Sequence, residues 1–440
     1  MASALEMQSL AFDPADARAA LAQVPESTAV FALYGAEAHA EPYIGRTPNL
    51  RGRLERLLQP SPRHPRRLQL AGRVRRIAWR LTGSEFESLL TQFSLLEEIY
   101  GARALERMHL RAPAFVRFLG GNPYPRIVVT HRPSQREAKW AYGPFASRVA
   151  AERYVEEALK LFLLRRCTDD LDPSPSHPGC IYSEMKMCLA PCYKGCTDER
   201  YAEEGAAVES FLATRGESRL VTLRAQREEA SASLAFESAA AIHAQVQRVE
   251  SVRALAPELV RPMSQLRAVL LQASANPDEV AVYLFENGRL RGPAGFSTIG
   301  MRIQNEQSGS SSLYAQPMAI EPLPEAPAPE AAADTPARPN RSVLEARMEA
   351  ALTALVAHAE PPSATLRQGH LALLKRWYYR PEAKRAGEIF FPDAEGRWPV
   401  KALLRGVGRV AAKALGAGSL AAPATDTLTE QGGSSTDAQG

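Results

Sequence analysis

The chain has 440 residues, 45% of them hydrophobic, with a formal net charge of +4. That length exceeds one ordinary domain and predicts two to four folding units with ample apolar material for their cores. No apolar run approaches the roughly 18 residues that cross a bilayer, which argues against a membrane-spanning helix. The N-terminal stretch carries Glu6, Asp13 and Asp16 where a secretory leader would be basic and then apolar. The five cysteines are therefore read in the reducing cytoplasm, where metal binding is favoured over disulfides.

In chain order, residues 28–35 read as a strand and residues 42–45 as the start of its neighbour. Asn49 opens an amphipathic helix through Leu50, Leu54, Leu57 and Leu58, ended by Pro60 and Pro62. Val74, Ile77, Trp79 and Leu81 make a third strand. Ser84 with Glu87 three residues on forms a capping box, leading a helix through Leu89, Leu90, Phe93, Leu96 and Ile99. Together these describe an α/β domain over residues 20–105. Between Arg46 and Arg80, eleven arginines face a single acid, Glu55. Such a block suits a phosphate backbone better than a solvated helix face, which usually mixes its signs.

Residues 125–130 predict another strand and 147–164 a helix, followed by the cysteines. Residues 198–255 are charged, alanine-rich and almost continuously helical, with a break near Arg215, Gly216 and Glu217, which reads as a helical hairpin. Asn287-Gly288 between β-prone runs marks a β-hairpin. Residues 366–379 and 388–391 add a helix and a strand, with Trp377, Tyr378 and Tyr379 closing a small core. Residues 403–415, with Gly406 and Gly408, resemble half a helix-hairpin-helix but read better as an ordinary capped helix. Residues 305–341 and 417–440 are expected to be disordered by composition. The fold class is thus α+β and multidomain. Its units are residues 20–105, a strand, helix and cysteine-rich region at 106–200, a helical hairpin at 201–256, and a small C-terminal α+β unit from 257–304 and 342–416.

The cysteines are spaced Cys167-x12-Cys180-x7-Cys188-x3-Cys192, with Cys196 after three more residues. Four soft thiolates brought together suit tetrahedral zinc or an iron–sulfur cluster, and spacing alone does not choose between them.

Three stretches, Tyr142-Gly-Pro-Phe145, Leu163-Leu-Arg-Arg-Cys167 and Cys188-Leu-Ala-Pro-Cys192, resemble the middle of the UvrC family, incision subunits of bacterial nucleotide excision repair. The resemblance implies that Cys167, Cys180, Cys188 and Cys192 hold a 4Fe-4S cluster, zinc being the alternative, and that Cys196 is a spare thiol. Residues 29–59 are similar to a GIY-YIG nuclease through Tyr43-Ile-Gly45 followed by Arg46, Asn49, Leu50, Arg51 and Arg53. Residues 218–255 resemble the UVR motif, a hairpin that pairs with UvrB. Its core reads Phe236-Glu237-Ser-Ala239-Ala240, followed by His243-Ala244 where the motif has Arg-Asp. In layout the chain resembles a truncated UvrC, comparable to the single-nuclease homologue Cho.

What the resemblance implies for the sites follows residue by residue. Tyr43 would assist the nucleophile, and Arg46 and Arg53 would neutralise the phosphate. Asn49, Arg51, Arg56, Arg63, Arg66 and Arg67 would line the DNA, and Phe236, Glu237 and Ala240 would face the partner. A nuclease of this kind uses Mg2+ or Mn2+ held by one glutamate. Two positions depart from the pattern. Phe31 stands where the first-motif tyrosine is expected, and Gln92 where the metal-binding glutamate is expected; a neutral amide is a poor ligand for a hard dication. The expected function is DNA binding with metal-dependent incision in nucleotide excision repair. The alternative is a non-cutting adaptor that keeps the cluster and the partner hairpin.

Overall fold

The computed structural model describes residues 6–37, 39–59, 70–301, 341–356 and 362–419. The two segments expected to be disordered lie outside these residues, apart from Arg341, which opens a helix, and residues 417–419, which end one.

The first sheet contains β1 (Gln8–Ala11), β2 (Ala29–Gly35), β3 (Tyr43–Thr47) and β4 (Val74–Leu81), in the order β1-β4-β2-β3. Three of these strands follow the predicted runs. The fourth, β1, has no alternating pattern of its own and is held by antiparallel pairing to β4. Because side chains alternate across a strand, the sheet buries two sets of residues. Phe31, Leu33 and Trp79 meet Leu50, Leu54 and Leu57 of α2 (Leu50–Leu58), with α1 (Ala17–Ala22) alongside. Val30 and Ala32 meet Leu95 of α3 (Glu85–Tyr100) on the opposite face.

The start of α3 departs from the expected capping box. Ser84 Oγ accepts from the Glu87 amide at 3.1 Å, as predicted. The Glu87 carboxylate, however, accepts from the Gly83 amide at 2.8 Å, one residue before the cap. Burial pushes the Glu87 carboxyl above the usual range, although the Gly83 amide opposes that shift.

After α4 (Ala104–Arg107), the second sheet comprises β5 (Ala114–Phe118), β6 (Ile127–Thr130), β7 (Ala141–Phe145) and β8 (Arg261–Pro262), in the order β6-β5-β7-β8. Helix α5 (Arg148–Leu159) begins on its Ser147 cap but stops before residue 164. There the chain turns to tertiary partners: the Leu163 amide donates to Glu204 Oε1 at 2.7 Å and the Arg165 amide to the Tyr201 hydroxyl at 3.0 Å. A cysteine-bearing loop with a short α6 (Ile181–Glu184) follows, and then α7 (Asp198–Ala213), α8 (Glu217–Ala232) and α9 (Phe236–Ala254). The helical stretch thus breaks twice: at Gly216, as read from the residues, and again at Leu234 (φ 58°), inside the 218–255 segment that resembles a hairpin. Tyr201, Phe211, Leu223, Val246 and Val249 pack with sheet two and α5 into one core.

The third sheet, β9 (Ala268–Ala273), β10 (Glu279–Glu286), β11 (Arg289–Ser297) and β12 (Glu388–Phe390), has the order β11-β10-β9-β12. Asn287 and Gly288 both have positive φ (52° and 78°), as a two-residue hairpin turn requires. On one face lie α10 (Arg341–Val356) and α12 (Val400–Ser419), through Met348, Leu352, Leu403 and Val407. Gly406 and Gly408 sit inside the uninterrupted α12, so the ordinary-helix reading of this segment holds. On the other face lie α11 (Ala364–Tyr378) and α3 itself, through Phe86, Phe93, Leu373 and Leu374. Helix α11 comes so close to α3 that a Cβ on Gly369 would stand 2.0 Å from the Phe93 ring. Trp377 is buried here, with its indole N–H on the Ala386 carbonyl at 2.8 Å.

Beside Gly369, His370 is 3% exposed and its Nδ1 accepts from the Leu290 amide at 2.9 Å. Burial, followed by repulsion from Arg289, lowers its pKa from 6.5 to about 3. The unfolded chain therefore binds a proton that the folded chain refuses, so stability is full above pH 6.5 and falls as the pH drops towards 3. The slope should approach about 1.4 kcal/mol per pH unit within that window. Urea midpoints from pH 7 to pH 5 should fall more steeply for wild type than for His370→Gln; equal slopes would contradict a neutral buried imidazole.

Candidate nucleic-acid edge and cysteine loop

Among the described residues, strand β3 is an edge of the first sheet, and its alternation divides the N-terminal candidates between two faces. Tyr43 and Gly45 face α2, whereas Ile44 and Arg46 face α3. On the α2 side, Arg53 Nη2 donates to the Tyr43 hydroxyl at 3.4 Å. The Phe31 ring lies 6.1 Å from the Tyr43 ring and is itself only 1% exposed. It fills the space above residue 45, where a Cβ would come within 2.7 Å of the ring, so this position takes glycine. Phe31 therefore does a packing job and offers no hydroxyl.

On the α3 side, Arg46 lies 3.8 Å from Glu85. The two share a cleft of about 570 Å³ with Thr28, Thr47, Ser84 and Ser88, at the N-terminus of α3. Glu85 is also held by a bidentate pair to Arg380, just beyond α11, at 2.7 and 2.8 Å. That hydrogen-bonded guanidinium, with Arg46 contributing less, holds the Glu85 carboxyl below its ordinary range. Gln92 is half-buried two turns further along the same helix. The acid nearest the cleft is thus spoken for by two arginines, and the Glu87 carboxylate is spent on its own helix cap.

The arginine block serves several purposes. Asn49 caps α2 by accepting from the Gly52 amide at 2.8 Å. Arg51 ties α2 to the preceding loop, donating to the Val24 carbonyl (2.8 Å), the Ala22 carbonyl (3.2 Å) and Glu26. Arg56 is exposed and bonds the Gly52 carbonyl at 2.9 Å. Arg63, Arg66 and Arg67 lie outside the described residues.

The cysteines lie along one loop between α5 and α7. Cys192 is buried, and Cys167, Cys180, Cys188 and Cys196 are half-buried, all as free thiols. Several backbone bonds pin the loop: the Leu189 amide to the Leu163 carbonyl at 3.0 Å, and the Ser174 amide to the Cys192 carbonyl at 2.9 Å. Cys188 Sγ accepts from the Ala190 amide at 3.3 Å, made possible by a left-handed Ala190 (φ 55°). Burial pushes the Cys188 and Cys192 thiols up, and proximity to Cys167 and Cys180 pushes in the same direction. Among the described residues, no group of three or more His, Cys, Asp or Glu side chains forms a ready-made metal site. The loop gathers the four expected ligands without drawing them into one coordination sphere.

At the far end of the α8–α9 hairpin, Phe236 is 66% exposed and Leu234 71% exposed, and Glu237 and Ala240 are exposed beside them. Only the lower part of the hairpin is anchored, through Leu220, Leu223, Val246 and Val249. Two contacts were beyond sequence reasoning: Arg380 on Glu85, 295 residues away, and the burial of Arg165 beside Cys167. Because the hairpin tip touches no core, Phe236→Ala and Leu234→Ala should shift unfolding free energy by no more than about 0.5 kcal/mol. A loss of several kcal/mol in chemical denaturation would mean that the tip packs in solution.

Comparison with known proteins places this geometry. The UvrC/Cho excinuclease middle domain matches residues 115–211, from β5 through most of α7 and so across the whole cysteine loop. A UvrABC system protein C from Aromatoleum aromaticum is 30% identical over 241 residues, 55% of this chain and 39% of the relative. The one from Alcanivorax borkumensis is 28% identical over 211 residues, covering 48% and 34%. The one from Ruminiclostridium cellulolyticum is 26% identical over 302 residues, covering 67% and 48%. The chain spans less than half the length of these curated relatives. No solved structure matches significantly. Residues 115–211 thus match the UvrC/Cho middle domain, and about half of the chain is similar to UvrABC system protein C.

Proposed function

We propose that this chain is a UvrC-like DNA-repair protein of nucleotide excision repair that holds DNA along the β3 edge of its N-terminal, GIY-YIG-like sheet. The observation that carries the reading is the placement of cations on that edge. A phosphate backbone running along β3 meets Arg53 beside Tyr43 on one side and Arg46, at the mouth of the cleft, on the other. Phosphate contacts of this kind position the duplex and carry no sequence preference, which suits a protein that must act wherever damage occurs. The exposed Phe236, Leu234, Glu237 and Ala240 of the UVR-like hairpin form the docking end for UvrB.

Two roles remain for the edge: cutting the bound strand or only holding it. Incision needs a carboxylate free to take Mg2+ or Mn2+, and the residues present do not fit that need. Gln92 is a neutral amide, Glu85 is paired with Arg380 and Arg46, and Phe31 carries no hydroxyl. These observations favour holding over cutting.

The cysteine loop fits a metal centre by its chemistry: four thiols on one pinned loop, one of them already accepting a backbone N–H, and a buried guanidinium beside Cys167. Cys167, Cys180, Cys188 and Cys192 would hold a 4Fe-4S cluster, or zinc as the alternative. Such a centre would supply the cross-link that a loop of this length lacks, since ligation is coupled to folding.

Fluorescence anisotropy on a labelled duplex tests the edge. Arg53→Ala or Arg46→Ala should weaken binding at every sequence and reduce the slope of log affinity against log salt by about 0.9 for each lost phosphate contact. An unchanged slope in both variants would remove the edge from the DNA interface. For the hairpin, Phe236→Ala should abolish retention of the chain on immobilised UvrB, and undiminished retention would remove the hairpin tip from that role.

A further inference from the structure

Arg165 is the largest fully buried side chain among the described residues and is 1% exposed. Its Nε donates to the Tyr124 carbonyl at 3.1 Å, and its Nη1 to the Asp169 carbonyl at 2.9 Å and to Cys167 Sγ at 3.6 Å. Its Nη2 is buried with no hydrogen-bond partner. Its backbone is fixed as well, by the bond from its amide to the Tyr201 hydroxyl, which in turn donates to the Pro125 carbonyl at 3.0 Å. Among the described residues, no carboxylate pairs with it. Arg291, whose side chain is also largely buried, lies 3.7 Å from Glu286.

A guanidinium does not shed its proton inside a protein. Burying it without a counter-charge is costly, and neutral carbonyls compensate only in part. The protein therefore has to supply negative charge near Nη1 and Nη2, and Cys167 Sγ is the group in contact there. Thiols are neutral, so they supply that charge only as thiolates, the form in which cysteine ligates a metal. Metal ligation meets this need. Four thiolates around a zinc dication, or around a 4Fe-4S core of the same charge, leave a net charge of about −2 in either case.

We propose that Arg165 is the buried counter-charge of a metal centre held by Cys167, Cys180, Cys188 and Cys192, and that it positions Cys167 and sets how tightly the centre is retained. The inference rests on the cysteine loop being a metal centre, and it adds a residue that is not itself a ligand. It accounts for three features together: the cation without a carboxylate, the orphaned Nη2, and the orientation of Nη1 towards sulfur. If the centre is an iron–sulfur cluster, the nearby cation also favours the reduced, more negative state.

The test compares full-length wild type, Arg165→Gln and Arg165→Lys, purified anaerobically. Bound iron and zinc are counted per chain, the rate of metal loss to excess EDTA is measured, and circular dichroism follows folding. Wild type should carry one centre. Arg165→Gln, folded, should lose its metal roughly tenfold faster or more, as outer-shell substitutions do. Arg165→Lys keeps the charge and should stay within about threefold of wild type on the same scale. If iron is present, the reduction potential of Arg165→Gln should shift to a more negative value. Equal metal retention by Arg165→Gln and wild type would overturn the proposal while leaving the cysteine reading intact. A wild-type chain that takes up no metal would overturn both. If Arg165→Gln does not fold, Arg165→Lys decides: a folded lysine variant that loses metal as fast as the tenfold expectation contradicts a counter-charge role.

Discussion

Helix α3 is the constraint on which the rest of the structure depends. One side of it carries Leu95 against Val30 and Ala32 of the first sheet. Its other sides carry Phe86, Leu89, Leu90, Phe93 and Leu96 into a core shared with the third sheet and α11. A helix enclosed by two sheets belongs to both, so the N-terminal unit and the C-terminal unit bury apolar surface together. The contact of Gly369 with Phe93 is tight enough that no side chain fits between the helices. Interior packing of this density compresses little, so it transmits strain between the two units and leaves few alternative arrangements.

The functional consequence falls on the cleft at the start of that helix. The same docking that buries Phe93 brings Arg380 onto Glu85, so the C-terminal unit closes the charge balance of the N-terminal site. The pair is exposed enough to contribute little to stability. Its weight is chemical, since a carboxylate already chelated by a guanidinium is a poor recruit for a divalent cation. On the other face of β3, Phe31 supports Tyr43 by packing alone. The N-terminal edge thus presents Arg46 and Arg53, while the carboxylate nearest the cleft, Glu85, is paired with Arg380 and Arg46.

How much of this was legible in the sequence depends on whether a contact is local. The amphipathic period of Leu50, Leu54, Leu57 and Leu58, the Ser84 cap and the Asn287-Gly288 turn are local signals, and each formed its element. Strands β5, β7 and β9 went unread because almost every residue in them is buried and they show no alternation. A short apolar run of that kind does not distinguish strand from helix, and the Gly143-Pro144 pair inside β7 also argues locally against a strand. The second helical break, at Leu234, falls on a residue with no breaker chemistry. Within the site, the residues themselves were named from sequence, but not their partners. Arg46 was grouped with Tyr43 and Arg53, yet an odd spacing along β3 places it on the other face, with Glu85. The buried Arg165 was in view only as part of a motif; nothing local marks an arginine as lacking a carboxylate.

The central claim, that α3 and Arg380 leave the N-terminal edge able to hold DNA but not to cut it, is tested most directly by a nicking assay. A labelled, lesion-containing duplex is incubated with the chain, UvrA, UvrB, ATP and Mg2+ or Mn2+, and Gln92→Glu is run in parallel. Wild type should make no incision under conditions where it binds the duplex, with any cutting confined to Gln92→Glu. Clean single-strand incision by wild type would contradict it and would require a metal ligand other than the residues assigned to the cleft.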